Sequence, residues 1–137
     1  AIEKDTELYG FLNNKFASAS NLDLVNGDGR DFNLSNLPPD YKLVANIPYY
    51  ITGAIIKKFL SSSHQPSRMV LLVQKEVAER IVARDNKESI LSLSVKAYGT
   101  PKYIKTVKAK YFSPEPNVDS AILLVENVSK KFFENIS

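Results

Sequence analysis

Residues 41–60 read "YKLVANIPYYITGAIIKKFL". An apolar run, Leu43 to Ala45, passes through Asn46, Pro48 and two tyrosines into a segment where Ile55 with Phe59, and Ile56 with Leu60, recur at four-residue spacing. The run suits a buried strand and the spacing suits a helix with one apolar face. A strand that turns so directly into a helix is the repeating unit of α/β folds. In open α/β sheets ligands bind beyond the carboxyl ends of the strands, so an amide, a proline and two aromatic rings at this junction mark where function is to be sought.

The same alternation extends on either side. Asp5 or Thr6 can cap a helix whose Leu8, Leu12 and Phe16 form one stripe facing a core. "NLDLVNG" (21–27) then reads as a short strand, and "RMVLLVQ" (68–74) as a strand apolar enough to be covered on both faces of a mainly parallel sheet. "KEVAERIVAR" (75–84) and "ESILSLSVKAY" (88–98) read as helices, with Glu76 and Arg80 four apart on an exposed face. "KYIKTVKAKYF" (102–112) and "VDSAILLVENV" (118–128) read as strands joined across Pro114 and Pro116, close enough for an antiparallel pair. The pattern is α/β and doubly wound, with no internal repeat.

Size and composition agree with a packed domain. The chain has 137 residues, 44% of them hydrophobic, and no cysteine, which removes disulfide frameworks and thiolate metal sites. No apolar run approaches 18 residues, so no membrane-spanning helix is expected, and the expectation is a soluble cytoplasmic protein. The net charge of +3 is unevenly spread: residues 1–40 hold three basic and seven acidic side chains, whereas residues 96–131 hold seven lysines and three carboxylates. Lysines interleaved with Tyr98, Tyr103, Tyr111 and Phe112 suit a nucleic-acid backbone with rings for bases to stack on, and equally suit a solvated face.

Three polar residues follow apolar segments at equivalent positions: Glu3, Asp28 within "NGDG", and Asn46. Together they would line one crevice. Each also has a plainer reading, Glu3 as a first-turn helix acid, Asp28 as a turn residue between Gly27 and Gly29, and Asn46 as a cap. A calcium loop at "DGRDFN" fails because Asn33 stands where glycine is needed. The single histidine, His64, lies in the polar stretch "SSSHQPS" and reads as exposed, and no G-x-S-x-G is present.

Asn46 to Tyr49 carries more specific chemistry. A heterocycle with an exocyclic amine offers two N–H donors, which the Asn46 amide oxygen and a neighbouring carbonyl, such as that of Ile47, could accept. Such bonds hold the amine and leave its lone pair aimed at an electrophile, which is catalysis by positioning and electrostatics. Pro48 stiffens the turn, Tyr49 offers a face to a base taken out of its stack, and Thr52 reads as the cap of the helix that follows.

"NIPYYIT", then "LLVQKEVAERI", then "FSPEPNVDSAIL", in that order and spacing, resemble the ribosomal RNA adenine N6-dimethyltransferases, the KsgA/Erm family of class I methyltransferases. The resemblance runs from Ala1 to about Phe133, and "YYIT" with "VDSA" look more like the ribosome-maturation branch than the antibiotic-resistance branch. It implies a Rossmann-like fold, mainly parallel with an antiparallel strand at the C-terminal end. It implies S-adenosyl-L-methionine as cofactor, with Glu3 on its ribose, Asp28 on its adenine amine, Gly29 near the ring and Asn46 between cofactor and target. It further implies catalytic roles for Asn46, Pro48 and Tyr49, substrate contacts from Ile47, Tyr49 and Phe112, and no metal. The partner would be ribosomal RNA in a small-subunit precursor, with no membrane; the oligomeric state stays open, a monomer being favoured.

The family's first strand and glycine-rich cofactor loop should precede Ala1, and the five glycines, at 10, 27, 29, 53 and 99, cannot supply that loop. Hence residues 1–128 are expected to be part of a catalytic domain and residues 129–137, "SKKFFENIS", the start of a helical one, in a chain cut at both ends that binds the cofactor poorly alone. Two other readings share the residues: a non-catalytic RNA-binding module for ribosome assembly, and a methyltransferase of DNA adenine, whose Asn-Pro-Pro-Tyr pattern has proline where this chain has Ile47.

Overall fold

The computed structural model describes residues 1–134, so the last three residues of "SKKFFENIS" lie outside the described residues. Two compact units are present, Ala1–Asn36 and Leu37 onward, and each is described by itself.

In the first unit, strand β1 (Ile2–Glu3) pairs in parallel with β2 (Val25–Asn26), and helix α1 (Thr6–Lys15) lies between them in sequence. Asp5 is the cap: its Oδ1 accepts from the Leu8 amide at 2.7 Å, satisfying one of the helix's open N–H groups. Two expectations are corrected. The strand read across residues 21–27 contracts to Val25–Asn26, because only two residues meet the partner strand. The stripe on α1 does not face a core in this structure, since Leu8 and Phe16 are exposed, Leu12 is only half-buried and the helix buries no residue.

The second unit holds a four-stranded sheet of β3 (Lys42–Asn46), β4 (Arg68–Gln74), β5 (Thr100–Val107) and β6 (Ser120–Glu126), in the order β3-β4-β6-β5. β3 and β4 are parallel, and β6 runs antiparallel to both β4 and β5. Three strands therefore point one way and the last is inserted against them. The expected antiparallel pairing of β5 with β6 is present, and β6 also separates β5 from β4.

Helices α2 (Thr52–Ser61), α3 (Lys75–Val82) and α4 (Ile90–Lys96) follow β3 and β4, and a short α5 (Lys131–Glu134) ends the described chain. Ile55, Ile56, Phe59 and Leu60 of α2 are buried, as their spacing requires. Ala78 and Ile81 of α3 are also fully buried, with α3 against β4, β5 and β6. Met69, Leu71 and Val73 on β4, with Ala121, Leu123 and Val125 on β6, form the centre of the core. Burial on both faces holds incompletely: Val70 and Leu72 are half-buried, and on β3 Val44 is 77% exposed. Arg80 Nη2 meets Glu76 Oε1 at 2.9 Å, the expected pair one helical turn apart.

Candidate functional site

Within the first unit, β1 delivers Glu3 and the turn after β2 delivers Asp28. The Gly27 amide donates to the Glu3 carbonyl at 3.0 Å, and the Asn26 side chain donates to the same carbonyl at 2.9 Å. Glu3 Oε1 accepts from the Asp5 amide at 2.8 Å. Asp28 closes its own turn, its Oδ1 accepting from the Arg30 amide at 2.9 Å, so the plain turn reading holds for its backbone. Its carboxylate also receives Arg30 Nη2 at 2.7 Å and Lys4 Nζ at 3.1 Å. Those hydrogen bonds, led by the Arg30 side chain, hold the Asp28 carboxyl far below the usual carboxylate range. Lys4 and Arg30 were not singled out by the sequence. Both lie within three residues of an acid already chosen, which is the signal that would have found them. Gly29 is half-buried beside Asp28.

The second unit places the other residues along one edge of its sheet. The registers Asn46↔Leu72, Gln74↔Ser120 and Val107↔Ser120 bring the carboxyl ends of β3, β4 and β5 to the edge where β6 begins. Asn46 ends β3 and is exposed, and among the described residues its carboxamide has no protein partner. Ile47 is 3% exposed and its amide donates to the Leu72 carbonyl at 3.3 Å, so this residue plugs the loop into the core. Pro48 is exposed and precedes a 3-10 turn, Tyr49–Ile51. The Tyr49 hydroxyl lies 2.9 Å from Ser120 Oγ, while Tyr50 is turned out to solvent.

Thr52 corrects an expectation. The sequence suggests it as the cap of α2, but the cap position is Ile51, and Thr52 is the first helical residue, buried, its Oγ1 donating to the Tyr49 carbonyl at 3.3 Å. Its hydroxyl therefore fastens the loop rather than the helix.

Phe112 follows a second 3-10 turn, Ala109–Tyr111, and is half-buried, its amide donating to the Ala109 carbonyl at 3.0 Å. Asp119 supports that turn, its Oδ1 accepting from the Ala109 amide at 2.9 Å and its Oδ2 meeting Lys108 Nζ at 3.1 Å. The Ala109 amide, and then Lys108, keep this carboxyl below its ordinary value. In the lysine-rich half, Lys96 pairs with Glu88 and Lys102 with Glu126, so part of that charge is neutralised on the protein itself.

His64 is half-buried rather than exposed. Its Nε2 lies 2.8 Å from the Leu37 carbonyl and its ring stacks on Tyr41 at 5.6 Å. It lines an open polar cavity of about 520 Å³ with Lys42, Arg68 and Asn127, at the amino ends of β3 and β4 and away from Asn46.

The sequence profile of the family described as ribosomal RNA adenine dimethylase matches residues 1–135. The chain belongs to this family. It is 39% identical over 142 aligned residues to the ribosomal RNA small subunit methyltransferase A of Dehalococcoides mccartyi strain BAV1, covering 100% of the chain and 48% of that protein. The dimethylase-family chain thus spans about half the length of the curated relatives it matches. Among solved structures, a dimethyladenosine transferase from Plasmodium falciparum is similar with a TM-score of 0.82 at 28% identity, over 97% of this chain and 48% of that one. The 23S rRNA methyltransferase ErmE gives 0.82 at 26% identity, over 91% and 50%. The fold is accordingly the Rossmann-like α/β fold of class I methyltransferases, whose mainly parallel strands and one reversed strand are those described above.

Proposed function

We propose that this chain carries the nucleoside-binding and amine-binding residues of an enzyme that dimethylates the exocyclic amine of adenine in small-subunit ribosomal RNA, with S-adenosyl-L-methionine as donor. Membership of the dimethylase family and the identity of its relatives as ribosomal RNA small subunit methyltransferases support the reaction class. The observation that carries the reading to particular atoms is the exposed carboxamide of Asn46 at the end of β3, without a side-chain partner among the described residues, followed by a buried Ile47 and a tethered Tyr49.

The residues of the first unit fit a nucleoside. Glu3 has Oε1 on the Asp5 amide, which leaves Oε2 to accept from ribose hydroxyls. Asp28 is an ionised acceptor suited to an adenine amine, with Gly29 beside it offering no side chain to the ring. Its oxygens are already occupied by Lys4 and the flexible Arg30 side chain, so taking the amine means displacing one of these surface cations. The donor, when bound, supplies a methyl group on a positively charged sulfur.

The second unit handles the target. Asn46 Oδ1 and the carbonyls of Ile47 or Pro48 accept the two N–H bonds of the adenine amine, fixing its orientation without acting as a base. Pro48, with φ −55° and ψ 133°, keeps that stretch extended before the 3-10 turn. Tyr49 presents a ring to one face of the base and Phe112 to the other. None of these steps requires a metal. In terms of domains, residues 1–128 belong to the catalytic part and residues 129–137 open the helical part.

The test is direct: the complete protein containing this chain is incubated with S-adenosyl-L-methionine and small-subunit RNA lacking the modification, and the RNA is digested and analysed by mass spectrometry. Dimethyladenosine is the expected product. RNA binding without any methylated nucleoside would replace this reading by that of a non-catalytic assembly module, and preferential methylation of DNA would overturn the substrate.

A further inference from the structure

The dipeptide Asp119-Ser120 touches Tyr49 through the Ser120 hydroxyl and the turn that leads into Phe112 through the Asp119 carboxylate. Ser120 opens β6 and is paired to both Gln74 of β4 and Val107 of β5, so its backbone is fixed from both sides. Its side chain is 1% exposed, and Oγ meets the Tyr49 hydroxyl, 71 residues away in sequence, at 2.9 Å. Tyr49 is thereby held at both ends, by this bond at the ring tip and by the Thr52 hydroxyl at its carbonyl. Asp119 accepts the Lys75 amide on its own carbonyl at 3.0 Å, which anchors it to the end of β4. Its carboxylate meanwhile holds Ala109 and Lys108, at the start of the turn that leads into Phe112.

From this we infer that Asp119 and Ser120 are positioning residues, which set the placement of the Tyr49 and Phe112 rings before the target adenine arrives. The inference rests on the reading of those rings given above and deepens it. Two loops that leave the sheet from different strands, β3 and β5, have no direct reason to keep a fixed spacing. Anchoring them to adjacent residues at the start of a third strand, β6, supplies that reason. A ring already in place costs less ordering when the base binds, and misplacement by a fraction of an ångström is expensive in rate. A hydroxyl pair of this kind is a weak way to stabilise a fold, since Tyr49→Phe together with Ser120→Ala would remove both polar groups at once, which is often close to neutral.

Steady-state methyl transfer by the complete protein tests this, comparing wild type with Tyr49→Phe, Ser120→Ala and the double variant, RNA and donor being varied separately. Each single variant should lower kcat/KM for RNA by about fivefold to tenfold, the scale of one lost hydrogen bond, with KM for the donor unchanged. The double variant should be no worse than the more impaired single, because both remove the same bond. Asp119→Ala should also lower kcat/KM for RNA, and Asp119→Asn, which keeps an acceptor for the Ala109 amide, should recover most of it. Melting curves establish folding. If Ser120→Ala does not fold, Tyr49→Phe, which keeps the ring and loses only the hydroxyl, carries the test. Single variants at the wild-type rate, or multiplying losses accompanied by a rising donor KM, would overturn the positioning role. A wild-type protein that transfers no methyl overturns the underlying functional reading instead, so the two failures are distinct.

Discussion

The unit Ala1–Asn36 and the unit from Leu37 onward hold, by opposite means, the side chains proposed to act. In the first, strands of two residues each carry Glu3 and Asn26, and Leu34 is its one buried hydrophobic residue. Asp5, Asp28 and Glu3 are placed by hydrogen bonds to nearby amides and cations. In the second, Asn46 and Tyr49 stand on a loop plugged by Ile47 into a sheet whose central side chains are wholly buried. Local polar placement tolerates exchange, as a nucleoside displacing Lys4 or Arg30 from Asp28 would require. Core placement resists it, which suits the proposed role of this loop in holding an amine in one orientation.

The contrast is most sharply tested by damaging the core. Leu71→Ala, at a fully buried position in the middle of β4, should destabilise the second unit by about 2–5 kcal/mol in urea unfolding. Amide exchange should show the loss across β3, β4 and β6. Equal loss confined to residues 1–36 would break the comparison.

Next comes Gly99→Ala. A methyl there would stand 2.9 Å from the Glu126 carbonyl and 3.0 Å from Val125, at the far end of the β5–β6 pair. The backbone must shift, at a cost of about 1–3 kcal/mol, while the Tyr49–Ser120 end of β6 stays in place. Thermal melts measure the first effect and methyl transfer the second.

A smaller change of opposite sign is expected at Ala83, which closes α3 in the left-handed region at φ 54°. Glycine has no side-chain penalty there, so Ala83→Gly should raise stability by about 1 kcal/mol, less whatever burial of the methyl group contributes.

The smallest effect belongs to the first unit and concerns pH. Because Asp28 is held below its unfolded value of 3.8, its contribution is complete above that value and is lost only as pH falls through the lower folded value. NMR titration should show the Asp28 carboxylate and the Arg30 guanidinium still paired at pH 4. Separation of the pair between pH 5 and 4 would contradict the hydrogen-bond account.

Much of the framework could be read in the residues because it is set locally. Asp5 as a cap, the four-residue spacing in α2, the Glu76–Arg80 pair and the polar break after "KLVA" each depend on neighbours in sequence. The insertion of β6 between β4 and β5 could not be read, since strand order follows from pairing between distant segments. The role of Thr52 escaped for a related reason: a hydroxyl at a helix start looks like a cap, and only the fold shows that it fastens the Tyr49 carbonyl. His64 looked exposed because its surroundings in sequence are polar, whereas its partners, Tyr41 and Leu37, are more than twenty residues away. Asp119 and Ser120 were visible as part of a family motif, but their partners at 49 and 108–109 lie on other strands' loops.

Asn46→Ala in the complete protein, assayed for dimethyladenosine in small-subunit RNA alongside a melting curve, is the most direct measurement. Because Asn46 is exposed at a strand end and the substitution leaves its backbone pairing with Leu72 intact, the melting midpoint should stay at the wild-type value while transfer falls by about 10²-fold or more. Wild-type turnover in that variant would contradict the assignment of the adenine amine to this side chain.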